Sequence, residues 1–216
     1  MLKDNYQKLC CHIAELSVQS PVREPVKILA VSKYASVEAV REIAAAGQKD
    51  FGENYWQSAK AKMQMLADLP LVWHFIGSLQ SNKCMEIAQY FSWVHSVAKT
   101  KHVALLAKAR ENLPPLQICL QVNFSHDTRK YGVLPEDVLM LAKEVLKYPS
   151  LNLRGLMVLP KPGETKDFIQ LAKLRNEIEQ SLAIELPTLS MGMSDDYEVA
   201  IKAGATIVRI GSKIFN

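Results

Sequence analysis

Apolar residues along this chain recur with two different periods. Residues 2 to 18 place Leu2, Tyr6, Leu9, Ile13 and Leu16 at three- and four-residue steps, which is one face of a helix. After that helix, short apolar and β-branched runs alternate with longer stretches of helical period. The runs at 27–32, 49–52, 72–76, 93–97, 116–122, 153–158, 188–190 and 206–210 read as strands. Helices are predicted near 37–46, 55–67, 81–90, 99–111, 135–147, 164–182 and 195–203. Local signals support several of these limits: Ser36 is placed to cap a helix that stops before Gly47, Pro135 suits a first helical turn, and Gly204 suits a C-terminal cap.

Eight strand-helix units are the pattern of a parallel sheet clothed in helices, so the fold class is α/β. Two architectures fit, an open doubly wound sheet and a (β/α)8 TIM barrel. Polar residues sit at many strand ends: Lys33, Glu53 with Asn54, Gly77 with Ser78, Asn123, the 190–194 stretch, and Arg209 with Gly211. An open sheet would gather them at one switch point, whereas a barrel brings every strand end to one mouth. The expectation is a TIM barrel with an extra N-terminal helix, spanning residues 1–216 as a single domain.

Composition narrows the picture without changing it. Of the 216 residues, 49% are hydrophobic and 22% charged, ordinary values for a globular chain with a sizeable core. The net charge of +4 is spread along the sequence with no long basic block, so nucleic acid is not expected as a partner. The four cysteines lack C-x-x-C spacing, and reduced thiols in a cytoplasmic protein are expected. The N-terminus has no apolar core of the kind a secretion signal needs, and no stretch approaches a membrane span.

Candidate chemistry centres on one amine. Lys33 closes the run Ile28-Leu29-Ala30-Val31-Ser32-Lys33, and alternation puts it on the face of Leu29 and Val31, at the inner edge of a barrel. Partial desolvation there favours the neutral, nucleophilic amine that Schiff-base formation needs. The competing reading is a strand-terminal lysine that reaches into water. Gly211 and Ser212, just after the last strand run, form a candidate anion site built from backbone N–H groups and a hydroxyl. The segment Ser190-Met191-Gly192-Met193-Ser194-Asp195-Asp196 could close the other side of that pocket, although Ser194 or Asp195 could instead cap the next helix. His74 reads as a hydrogen-bonded core histidine. His12, His74, His95, His102 and His126 form no metal-binding pattern, and no metal is expected. A G-x-S-x-G elbow, a P-loop and a G-x-G-x-x-G fingerprint are all absent, which removes the usual hydrolase and nucleotide readings.

Taken together, several blocks resemble the YggS/PROSC family of pyridoxal phosphate homeostasis proteins, whose barrel is similar to the N-terminal domain of alanine racemase. They are Ala30-Val31-Ser32-Lys33, Phe51-Gly52-Glu53-Asn54-Tyr55, the run from Trp73 to Lys83, Arg154-Gly155-Leu156-Met157, Ser190-Met191-Gly192-Met193-Ser194 and Val208-Arg209-Ile210-Gly211. The resemblance implies that Lys33 carries pyridoxal 5′-phosphate as a Schiff base, that Ser190, Gly211 and Ser212 hold the phosphate, that Arg209 lies near the pyridine nitrogen, and that Asn54 and Met193 line the ring. Lys130 matches a family lysine near the barrel mouth. Tyr34, Ser58 and Ala98 depart from the residues usual in the family, and the terminus at Asn216 lacks its basic extension.

A guanidinium beside the pyridine nitrogen disfavours protonation of that nitrogen and makes the ring a poorer electron sink. The expected role is therefore a carrier in vitamin B6 homeostasis with no catalytic residues, which holds the cofactor and hands it to pyridoxal-phosphate-dependent apoenzymes. Its rivals are a racemase or lyase using the same lysine and a protein that signals cofactor occupancy to a partner. Racemisation requires acid-base groups on both faces of the substrate carbon, and no second domain is expected to supply the opposing tyrosine. A monomer is expected on the same ground.

Overall fold

In the computed structural model, which describes residues 1–216 except Arg23, His126, Thr128 and Pro162, eight parallel strands close into a barrel in the order β1 to β8. They are β1 (Lys27–Val31), β2 (Asp50–Glu53), β3 (Val72–Phe75), β4 (Trp93–Val97), β5 (Leu116–Val122), β6 (Leu151–Val158), β7 (Thr188–Ser190) and β8 (Ile207–Ile210). Helix α1 (Leu2–Ser17) precedes β1, and α2 (Val37–Ala45), α3 (Trp56–Met65), α4 (Cys84–Tyr90), α5 (Thr100–Arg110), α6 (Val138–Leu146), α7 (Lys166–Leu182) and α8 (Tyr197–Lys202) follow the first seven strands in turn. A short α9 (Ser212–Phe215) follows β8. The TIM barrel with its extra N-terminal helix is thus observed, and the open sheet is excluded by the pairing of β8 with β1.

Strand alternation divides the core in two. Outward residues such as Ala30, Phe51, Phe75, Val94, Ile118 and Leu120 pack against the helices in one continuous apolar shell. Inside the barrel, Leu29, Ile76 and Ile207 form a separate small apolar cluster with Val31 against it. Gly52 belongs to this crowded interior: a Cβ there would lie 3.2 Å from Leu29 and 3.3 Å from Ile76. Much of the remaining interior is polar, with His74, His95, Ser190 and Arg209 at most 3% exposed. Buried polar groups of this kind persist only when hydrogen-bonded.

The predicted signals act where expected at several ends. Ser36 Oγ accepts from the Ala39 amide at 3.2 Å, and Gly204 follows α8 with φ +97°, a left-handed conformation that suits glycine. Two helices begin differently, because single 3₁₀ turns at Ser81–Lys83 and Pro135–Asp137 precede α4 and α6. Helix α1 lies across α2, α8 and α9 and buries Tyr6, Leu9 and Ile13 of its predicted face. No described helix is long and apolar enough to cross a membrane, and all four cysteines are free thiols.

Candidate functional site

The C-terminal ends of the strands open into a cavity of about 650 Å³. Its walls come from the segments after β1, β2, β3, β6, β7 and β8. Lys33, Asn54, Met193, Arg209, Gly211 and Ser212 all line it. These residues lie far apart in sequence, and the closed barrel is what brings them together. Lys33 continues the inward alternation of Leu29 and Val31; it is half-buried, with Nζ 5.1 Å from the ring centre of the exposed Tyr34. Its reach is therefore toward the cavity mouth rather than into the barrel.

The residue before Lys33 is held from outside the barrel. Ser32 points the opposite way, and its Oγ donates to Glu53 Oε1 at 2.7 Å. Lys62 Nζ, from α3, donates to the same carboxylate oxygen at 2.8 Å and to the Ser32 carbonyl. Glu53 is completely buried and Lys62 nearly so. This clamp fixes the β1 terminus and leaves the Lys33 side chain free to move. The sequence places Glu53 beside Asn54 at a strand end, but alternation sends Glu53 outward with Phe51 while Asn54 turns inward. Lys62 carried a readable sign that the strand-end reading missed: it sits on the α3 face formed by Ala59 and Met63.

Arg209 forms the cavity floor. It projects inward from β8, opposite Leu29 in the β1 register, and is 3% exposed. Its guanidinium donates to the Ser190 carbonyl at 2.5 Å, to Ser190 Oγ at 2.9 Å and to the Val158 carbonyl at 2.8 Å. Burial lowers its pKa to about 10, which leaves it cationic at neutral pH.

Ser190 is the one expected site residue that does not line the cavity. It is fully buried below the mouth, between Arg209 and His95, whose Nδ1 is 2.8 Å from its hydroxyl. The hydroxyl expected to hold a phosphate is thus turned into the barrel and engaged by Arg209 and His95. The serine of that loop on the cavity wall is Ser194. Neither Ser194 nor Asp195 caps α8; Asp196 stands at the cap position, and its carboxylate instead accepts from the Met193 amide at 2.6 Å. Gly192, with φ +89°, lets this loop turn against α8, where a Cβ would meet that of Ala200 at 2.6 Å. Lys130 lies apart, in a smaller cavity with Ser78, Gln121, Tyr131 and Asp167 that shares Leu159 with the first.

His74 is the hydrogen-bonded core histidine expected, and its partner His95 was not foreseen. His74 Nε2 lies 3.0 Å from Asp50 Oδ1, and its Nδ1 lies 2.9 Å from His95 Nε2. Burial pushes both pKa values below the usual 6.5, that of His95 well below. The unfolded chain takes up these protons as the pH falls through 6.5 whereas the folded protein does not, so acid favours unfolding. Stability is expected to decline below that pH by up to about 1.4 kcal/mol per pH unit for each ring. Urea midpoints measured between about pH 7.5 and about pH 5 check this, and a constant midpoint would contradict it.

The donor set suits pyridoxal phosphate. Lys33 supplies an amine for the aldehyde. Among the described residues no backbone acceptor takes the amide protons of Ser212 and Lys213, which leaves them free for an anion beside the Ser212 hydroxyl. Arg209 supplies a fixed positive group at the floor. Among the described residues no donor reaches the buried Asn54 Oδ1 at the wall, an open acceptor that a polar ring substituent would satisfy.

The family model for the alanine racemase N-terminal domain matches residues 2–216. The pyridoxal phosphate homeostasis protein of Pseudomonas aeruginosa is 49% identical over 219 aligned residues, covering 99% of this chain and 94% of that protein. The chain belongs to the pyridoxal phosphate homeostasis protein family. PipY of Synechococcus elongatus, a similar solved structure, superposes with a TM-score of 0.89 at 33% identity over the full length of both chains. A second structure of PipY, with PLP bound, gives a TM-score of 0.83 at 36% identity and covers 94% of this chain and all of PipY.

Proposed function

We propose that this protein binds pyridoxal 5′-phosphate reversibly and acts in vitamin B6 homeostasis as a carrier, holding the reactive aldehyde and releasing it to apoenzymes. The observation that carries the reading is the placement of Lys33, Arg209 and Ser212 around one cavity. Family membership and the PLP-bound structure of PipY support it.

In this reading Lys33 Nζ condenses with the aldehyde to a Schiff base, releasing water, and the amides and hydroxyls of Gly211, Ser212 and Ser194 hold the phosphate. Bound pyridoxal phosphate supplies an electrophilic aldehyde on an electron-poor ring. Arg209 faces the pyridine nitrogen, and as a cation it opposes protonation there, which weakens the ring as an electron sink. Asn54 and Met193 line the ring. In this reading the carrier is a monomer, and four free thiols suit a reducing cytoplasm.

The test is direct. Borohydride reduction of the loaded protein followed by peptide mapping is expected to place a pyridoxyl group on Lys33. Mixing the unreduced protein with a pyridoxal-phosphate-dependent apoenzyme is expected to restore that enzyme's activity. Sustained racemisation or elimination across a panel of L- and D-amino acids would replace the carrier reading with an enzymatic one.

A further inference from the structure

Five polar residues form a line through the barrel from one mouth to the other. At the N-terminal mouth stands Asp50, the first residue of β2, with its side chain 28% exposed. Next come His74, His95 and Ser190 on β3, β4 and β7, and last Arg209 at the cavity floor. The links measure 3.0, 2.9, 2.8 and 2.9 Å in that order. Trp93 stacks flat on His74, with centroids 5.2 Å apart and planes at 10°, which fixes the ring orientation.

The chemistry of the two ends dictates where every proton in the line sits. Arginine can only donate, and an ionised carboxylate can only accept. Asp50 is held ionised despite its partial burial, because the His74 hydrogen bond and the nearby Lys27 and Lys49 charges outweigh desolvation. His74 must then donate from Nε2, which leaves its Nδ1 as an acceptor in the neutral ring. His95 in turn donates from Nε2 and accepts at Nδ1. Ser190 therefore turns its proton toward His95 and presents its lone pairs to the guanidinium. No other proton order makes all four bonds while both rings stay neutral.

We propose that Asp50, His74, His95 and Ser190 are positioning residues for Arg209, forming a one-way donor chain that holds the guanidinium at the cavity floor and ties its placement to a carboxylate at the opposite mouth. With the order reversed, Ser190 Oγ would accept from both His95 and Arg209, and its own proton would lose His95 as its acceptor. The guanidinium would then share the lone pairs of that oxygen with a second donor. Reversal is prevented by Asp50, which never contacts the cavity. The consequence for the cofactor rests on the pyridoxal phosphate reading given above.

The two parts are tested separately. Two-bond nitrogen-proton correlation spectra of the histidine rings in the ligand-free protein are expected to show His74 and His95 as neutral Nε2–H tautomers near neutral pH. An Nδ1–H tautomer or a doubly protonated ring at either position overturns the proposal, whatever the protein binds. Asp50→Leu is then expected to mix the tautomers of both rings, to shift the absorption maximum of the bound pyridoxal phosphate, and to weaken its binding by about fivefold or more. Asp50→Asn, which keeps an acceptor for His74, is expected to restore most of the affinity. If Asp50→Leu folds and leaves the tautomers, spectrum and affinity unchanged, the donor chain has no positioning role; if it does not fold, the wild-type tautomers decide alone. Failure of the wild-type protein to bind pyridoxal phosphate would refute the carrier reading while leaving the tautomer result intact.

Discussion

Lys33→Ala is expected to lose all covalent attachment of pyridoxal phosphate and, with it, the visible absorption band of the loaded protein. What remains is the grip on the phosphate and the ring, so affinity should fall by roughly a hundredfold or more, the equivalent of about 2.7 kcal/mol. Lys33→Arg separates the two properties of the lysine. It keeps the positive charge at the cavity mouth, but a guanidinium does not deprotonate in a protein and cannot condense with an aldehyde. Both variants should therefore lose the band, and only the arginine should retain the charge-dependent part of binding. Titration followed by absorbance, with equilibrium dialysis for the non-covalent remainder, measures both. A normal band in either variant would move the attachment point to another amine. Lys130 is the obvious control, since it sits in the neighbouring small cavity.

The second large effect concerns stability. Glu53→Ala leaves the ammonium of Lys62 nearly buried, with only the Ser32 carbonyl as a partner. Removing one member of a buried pair is expected to destabilise the protein by about 3–5 kcal/mol, because the surviving charge is left uncompensated. Lys62→Met has a comparable effect, because it leaves the buried carboxylate with only the Ser32 hydroxyl as a donor among the described residues. The double variant Glu53→Leu with Lys62→Met removes both charges and should return to within about 2 kcal/mol of the wild type or exceed it. Urea unfolding of the double variant and of its component singles, Glu53→Leu and Lys62→Met, supplies the coupling energy. Single losses below about 1 kcal/mol would show that the clamp on Ser32 matters little. Since the clamp fixes the residue before Lys33, the single variants should also bind the cofactor more weakly even where they fold.

The alternation of strands and helices was legible because two periods of hydrophobic residues are distinct along the chain, and strands such as β4, β5 and β7 begin and end where the pattern does. Strand β6 begins earlier than the pattern predicts because Asn152, between the buried Leu151 and Leu153, faces solvent and interrupts the apolar run where β6 first pairs with β5. Helix α9 was missed: at Ser212–Phe215 it is too short to show any period. In the site, alternation from Leu29 through Val31 located Lys33, and the same rule applied to Thr188 and Ser190 leads into the interior rather than to the mouth. The pairing of His74 with His95 could not be read from either residue. It depends on the register of β3 against β4, which no local pattern encodes.

The cavity draws on only part of the barrel's circumference, since none of the described residues after β4 or β5 lines it. That sector is closed separately by the Asn123 side chain, which donates to the Asp127 and Lys130 carbonyls and accepts from Ser125. The loops of the barrel mouth thus divide between an arc that lines the cavity and an arc organised around Asn123. Grafting a sensor or an address tag onto the second arc is the natural way to give this scaffold a second task.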